Sequence, residues 1–166
     1  MQDAPIDLNK LTAALSDEGL RIVLVGGMAV IYHGGSFLTV DVDLAIAFDR
    51  ENVAKLVRAL APLHPRPLRL ATGAQWVWDE LCIRPPWSIF MTDAGRLDLI
   101  VRLPGVESFS GLYERSITTS LWGTNIHVAS LDDLIAMKSA SDREKDGVHL
   151  QALREIKALQ SEQSGL

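Results

Sequence analysis

Two stretches decide the fold: Arg21-Ile22-Val23-Leu24-Val25-Gly26-Gly27, and Thr39-Val40-Asp41-Val42-Asp43-Leu44-Ala45-Ile46-Ala47. The first is a continuous β-branched and aliphatic run of strand length, halted by two glycines. Its lack of alternation predicts a strand buried on both faces. The second alternates: Val40, Val42, Leu44 and Ile46 fall on one face of an extended chain, and Thr39, Asp41, Asp43, Ala45 and Ala47 on the other. Between them the pattern predicts a short helix over 28–33, closed by Gly34-Gly35.

Upstream, Leu8, Leu11 and Leu15 recur at helical spacing and Gly19 follows, which predicts an amphipathic helix over 7–18. Downstream, Asp49-Arg50-Glu51 opens a helix with Val53, Leu56, Val57 and Leu60 on one stripe, ended by Pro62. Residues 62–69 form a stiff, locally basic connection, and 75–91 is an aromatic-rich stretch interrupted by Pro85-Pro86. Arg96-Leu97-Asp98-Leu99-Ile100-Val101 is a further strand, and 116–120 with 125–128 can make a hairpin around Trp122-Gly123-Thr124. Ser130-Leu131-Asp132-Asp133 starts a helix to about residue 140, and Ser141-Asp142-Arg143-Glu144 starts a last one to about residue 160. The expected class is α/β (α+β), a mixed central β-sheet flanked by helices. One domain over 1–166 is expected, with its core at about 20–128 and C-terminal helices at about 130–160.

With 166 residues, 48% of them apolar and 22% charged, the chain supports one ordinary core and excludes a disordered, collagen-like or disulfide-scaffold protein. A net charge of -5 argues against a protein that coats a phosphate backbone, because such affinity comes from many Lys and Arg contacts. The lone cysteine, Cys82 in Leu81-Cys82-Ile83, is expected to be a buried core thiol, without a disulfide-linked partner. The start of the chain has no basic and apolar leader, and the longest apolar stretch, 22–32, is short and split by Gly26-Gly27. A cytoplasmic protein without a membrane span is expected.

The aspartates carry the chemistry. Asp41 and Asp43 project from one strand face two positions apart, so their like charges repel unless protonation, a basic partner or a divalent cation relieves them. Hard cations prefer carboxylate oxygen, which makes a metal the economical answer. Asp98 interrupts another apolar strand and needs a partner for the same reason. Three such carboxylates can hold paired ions roughly 3.5–4 Å apart that clamp the attacking and leaving oxygens of phosphoryl or nucleotidyl transfer. Gly26-Gly27, at a strand end and before a helix, offers bare backbone N–H groups to phosphate.

Taken together, Gly26-Gly27, a spacer over 28–40, Asp41-Val42-Asp43, and Arg96-Leu97-Asp98-Leu99-Ile100 resemble the signature of the nucleotidyltransferase superfamily, the polymerase-beta-like minimal fold. The tail, Ser130-Leu131-Asp132-Asp133 through Lys138, then Arg143, Lys145, Asp146 and Leu150, resembles the C-terminal helices of small bacterial nucleotidyltransferase-like proteins, including abortive-infection-type toxins. The resemblance implies a nucleotidyltransferase-like fold and an NTP substrate, with Mg²⁺ or Mn²⁺ on Asp41, Asp43 and Asp98. It also implies catalytic roles for those aspartates and Lys138, and nucleotide contacts from Gly26, Gly27, Thr39, Lys138 and Asp146. By helical spacing Lys138 falls on the stripe of Leu131, Leu134 and Ile135, and Asp146 on that of Leu150 and Leu153. An inward lysine contacts triphosphate, or it snorkels to a surface ion pair. Arg143 and Lys145 are expected on the solvated surface.

The resembled pattern often carries an arginine two residues before the threonine that precedes Asp-x-Asp, whereas this chain has Phe37 there, followed by Leu38. Its turn is Gly-Gly where Gly-Ser is common. Two main functions therefore compete. One is a nucleotidyltransferase whose acceptor is tRNA, a protein or a small molecule such as an aminoglycoside. The other is a catalytically weak binding module, for example one half of a toxin-antitoxin pair with a cognate antitoxin-like protein. A metal-dependent phosphohydrolase is a distant third. His33 is expected to pack or cap, and His64, His127 and His149 show no metal-ligand spacing. Trp76 and Trp78 share a face if the chain there is a strand, where such a pair is usually core, with base stacking as the alternative.

Overall fold

In the computed structural model, residues 5–16, 19–141 and 144–165 are described, without the side chains of 144–146. Strand β1 (Ile22–Val25) is buried at every residue, as its unbroken apolar run requires. It pairs antiparallel with β2 (Asp41–Ile46) on one side and parallel with β7 (Thr124–Val128) on the other. Beyond β2 lies β5 (Gly95–Ile100), parallel to it, then β4 (Trp87–Thr92) and the two-residue β3 (Arg66–Pro67), while β6 (Ile117–Leu121) flanks β7. The seven-stranded mixed sheet runs β3-β4-β5-β2-β1-β7-β6.

The period-2 rule holds across the two central strands. Val42, Leu44, Leu97 and Leu99 pair in register, all buried, on one face of β2 and β5. They share a core with Leu56 and Leu60 of helix α3 (Arg50–Leu60), which Asp49 caps by accepting a hydrogen bond from the Asn52 N–H. β2 starts at Asp41, two residues later than its alternation predicts, and Val40 is exposed. The rows end there: pairing with β1 stops at Asp43–Val25, and pairing with β5 stops at Asp41–Arg96.

Other boundaries shift for local reasons. Helix α1 (Leu8–Ala14) ends earlier than predicted, because Ser16 folds back and its hydroxyl donates to the Ala13 carbonyl. Helix α2 (Gly26–Tyr32) begins at the first glycine: Gly26 adopts φ +63° and turns the chain from strand directly into helix. Helix α4 (Phe109–Arg115) precedes the β6–β7 hairpin, whose turn residues Trp122 and Gly123 are both left-handed, as a type I′ turn demands. Helix α5 (Leu131–Ser139) is capped by Ser130, whose hydroxyl accepts from the Asp133 N–H. Helix α6 (Glu144–Ser164) runs past the expected end and packs on α5, with Leu153 fully buried. Of the expected capping pattern at Ser141–Glu144, Asp142, Arg143 and the Glu144 side chain lie outside the described residues.

Two expectations for the aromatic-rich stretch are corrected. Trp76 and Trp78 are not on a strand. Their indole N–H groups donate to the carbonyls of Pro65 and Val57, and both half-buried rings pack on Phe90, so they fasten this segment to the core. Cys82, expected as a buried core thiol, is a half-buried thiol in a 3₁₀ turn, Glu80–Cys82, packed against the edge of the core. Its Sγ–H donates to the Val77 carbonyl, and burial pushes its pKa up. Among the described residues no helix is long and apolar enough to cross a membrane.

Candidate active site

The register that builds the core also builds its opposite face. Asp41 lies beside Arg96 and Asp43 beside Asp98, so four charged side chains form a two-by-two array on adjacent parallel strands. One carboxylate oxygen from each of Asp41, Asp43 and Asp98 lies within 4.8 Å of the others. Three like charges this close require compensation. Part of it comes from Arg96, whose Nε and Nη2 donate to the two oxygens of Asp98, each at 2.9 Å. The same Nη2 lies 3.9 Å from Asp41 Oδ2. The hydrogen bonds to Asp98 outweigh the opposing effect of burial and raise the Arg96 pKa further, so the guanidinium stays charged.

Thr39 steadies the other corner. Its hydroxyl lies 2.9 Å from Asp41 Oδ1 and 3.1 Å from the Asp41 carbonyl, donating to this residue from just before the strand. The glycine turn closes the third side. A Cβ on Gly26 would lie 1.9 Å from Asp43 Oδ2, and one on Gly27 would lie 3.0 Å from Thr39 Oγ1. Gly26 is therefore required twice, by its left-handed backbone and by the carboxylate pressed against it.

All of these residues line one cleft of about 520 Å³, together with Lys138 from α5, Phe37, His149 from α6, Trp87 and Arg102. The structure thus brings together Gly26, Gly27, Thr39, Asp41, Asp43, Asp98 and Lys138 from separate elements. The side chain of Asp146, and those of Arg143 and Lys145, lie outside the described residues. Phe37 meets the His149 ring with centroids 4.4 Å apart, which puts an aromatic wall where the resembled pattern often carries a cation.

Arg96 is the site residue that sequence reasoning missed. The signal was present, since an arginine two positions before Asp98 on a strand shares its face. Trp87 and Arg102 had no comparable local signal, because Trp87 is placed by its pairing with Ile100 and Arg102 by its N–H on the Pro86 carbonyl, both contacts between distant parts of the chain. His149 was set aside for lack of metal spacing, yet it lines the cleft. The other histidines serve elsewhere. His33 Nε2 lies 2.8 Å from the Ala129 carbonyl and ties α2 to the end of β7. His64 pairs with Asp93 at the surface. His127 contacts the Ser116 hydroxyl and stacks on Tyr113, and burial pushes its pKa down.

Three carboxylate donors, one guanidinium and an adjoining glycine turn can hold a divalent cation, since all the donors are hard oxygens. No family model matches the chain. No curated protein matches it either. Solved structures do. A candidate nucleotidyltransferase from Thermotoga maritima aligns over 96% of this chain and 91% of its own, with TM-score 0.54 and 14% identity. The structure of ANT(2")-Ia in complex with adenylyl-2"-tobramycin aligns over 93% and 92%, with TM-score 0.55 and 15% identity. An antigenic nucleotidyltransferase-like protein from Paracoccidioides brasiliensis aligns over 94% and 79%, with TM-score 0.50 and 17% identity. The fold is nucleotidyltransferase-like.

Proposed function

We propose that the chain is a metal-dependent nucleotidyltransferase that moves an NMP group from an NTP to an acceptor hydroxyl. The observation that carries this reading is the convergence of Asp41, Asp43 and Asp98 beside the Gly26 turn in one open cleft. Asp41, Asp43 and Asp98 would hold Mg²⁺ or Mn²⁺, which supplies charge neutralisation for the triphosphate and for the attacking and leaving oxygens. Gly26-Gly27 would present backbone N–H groups to phosphate oxygens. Lys138 would balance the charge of the departing pyrophosphate from across the cleft. The acceptor oxygen bonds to the α-phosphorus while the bond from that phosphorus to the bridging oxygen of the β-phosphate breaks. Pyrophosphate leaves, and the hydroxyl proton passes to Asp98. Thr39 serves by holding Asp41 in place.

For the acceptor, tRNA, a protein and a small molecule all fit the reading. The adenylyl-2"-tobramycin bound to ANT(2")-Ia supports a small molecule. A second reading, a catalytically weak module that works by contact with an antitoxin-like partner, is favoured by Phe37 in place of a cation at the cleft. The test is incubation with each α-labelled NTP, Mn²⁺ and a total cell extract, comparing wild type with Asp41→Asn. Label transfer by wild type alone supports the enzyme. Equal labelling by both, or labelling by neither, rejects it.

A further inference from the structure

We infer that Arg96 is a tethered cation that competes with the divalent metal for Asp98, so that the carboxylates are partly neutralised from within the chain until metal displaces the guanidinium from Asp98. The inference rests on the metal-dependent reading of the cleft and adds a mode of regulation to it. The bidentate hydrogen bonds occupy both oxygens of Asp98 at 2.9 Å, and the same guanidinium extends to 3.9 Å from Asp41. While both its oxygens accept from Arg96, Asp98 has one lone pair of each taken up and its charge offset, which makes it a weaker ligand for a metal and a weaker base toward an acceptor hydroxyl.

The strand geometry makes the competition direct. Arg96 and Asp98 are two apart on β5, on the same face, and Arg96 is in register with Asp41. The guanidinium therefore lies among the carboxylates, where a divalent cation would lie. The array of three carboxylates and one guanidinium carries a formal charge of -2, which one divalent ion balances without Arg96 leaving the cleft. Asp98 is only 9% exposed and Arg96 is half-buried, so neither group is compensated by bulk water alone. Once released from Asp98, Arg96 remains in the cleft as a cation for the incoming triphosphate.

The test is Mn²⁺ binding to the nucleotide-free protein, followed by electron paramagnetic resonance, for wild type, Arg96→Met, Arg96→Lys and Asp41→Asn. Removing a unit charge a few ångströms from the ion should tighten Mn²⁺ binding in Arg96→Met by about tenfold or more. Arg96→Lys, which keeps the charge but lacks the planar fork, should fall between the two. In chelator, Arg96→Met should unfold at lower urea than wild type, and Mn²⁺ should raise its midpoint by more. Should Arg96→Met fail to fold, the Arg96→Lys arm decides alone, with tighter binding than wild type expected. Unchanged or weaker Mn²⁺ binding in the Arg96 variants, with Asp41→Asn still impaired, overturns this inference and leaves the metal-dependent reading standing. Absence of Mn²⁺ binding in every protein overturns both.

Discussion

Replacing Gly26 by alanine is the sharpest single perturbation of the site. The new side chain meets two separate costs. A left-handed backbone at φ +63° costs an L-residue roughly 1–2 kcal/mol. The Cβ also arrives 1.9 Å from Asp43 Oδ2 and 2.6 Å from its Cγ, so the carboxylate must move or the turn must open. Overpacking of this kind costs roughly 1–3 kcal/mol. The expected total is about 2–5 kcal/mol, against about 1–2 kcal/mol for Gly123→Ala. Gly123 has a comparable φ of +77° with nothing within 4 Å, so it carries the backbone cost alone. With a urea slope of about 2 kcal/mol/M, the midpoints should fall by about 1–2.5 M and about 0.5–1 M. Asp43→Ala removes the two nearest atoms, and in that background Gly26→Ala should cost less by about 1 kcal/mol. Equal costs for Gly26→Ala and Gly123→Ala, or a Gly26→Ala cost unchanged by Asp43→Ala, would refute the claim that the turn is pressed against the carboxylate.

Other expectations follow from the same packing. Leu44→Ala, in the fully buried centre of β2, should cost about 2–5 kcal/mol in urea unfolding. Ser130→Ala removes the α5 cap and should cost about 1 kcal/mol, with an unaltered urea slope. His127 is held below its ordinary pKa of 6.5 by burial, so the unfolded chain takes up a proton before the folded one does. Its contribution is complete above pH 6.5 and is lost as pH falls toward the lower folded value. The thermal midpoint of wild type should therefore drop more than that of His127→Gln between about pH 7.5 and about pH 5.5. Lys138→Met should raise KM for the NTP, measured by steady-state label transfer, with a smaller effect on urea stability.

The central strands were legible because each carried its own period. The solid apolar run of β1 and the alternation of β2 both depend on which faces are buried, and burial is written into side-chain chemistry residue by residue. The same alternation put Asp41 and Asp43 on one face. What joins them to Asp98 is a parallel pairing between strands some fifty residues apart, and its register leaves no local mark. The segment 75–91 resisted reading because Trp76 and Trp78 are held by single hydrogen bonds to distant carbonyls, a contact with no sequence period. Arg96 was legible in principle and overlooked, since a strand arginine reads as a solvated edge until its neighbours are known.

The most direct measurement of the central claim pairs two labels. The protein, Mn²⁺ and a total cell extract are incubated with NTP labelled at the α-phosphate or, separately, at the γ-phosphate. Nucleotidyl transfer at Asp41, Asp43 and Asp98 predicts that only the α label becomes attached to an acceptor, with pyrophosphate released and both signals lost in Asp41→Asn. Attachment of the γ label, release of inorganic phosphate in place of pyrophosphate, or no metal-dependent product at all would contradict it.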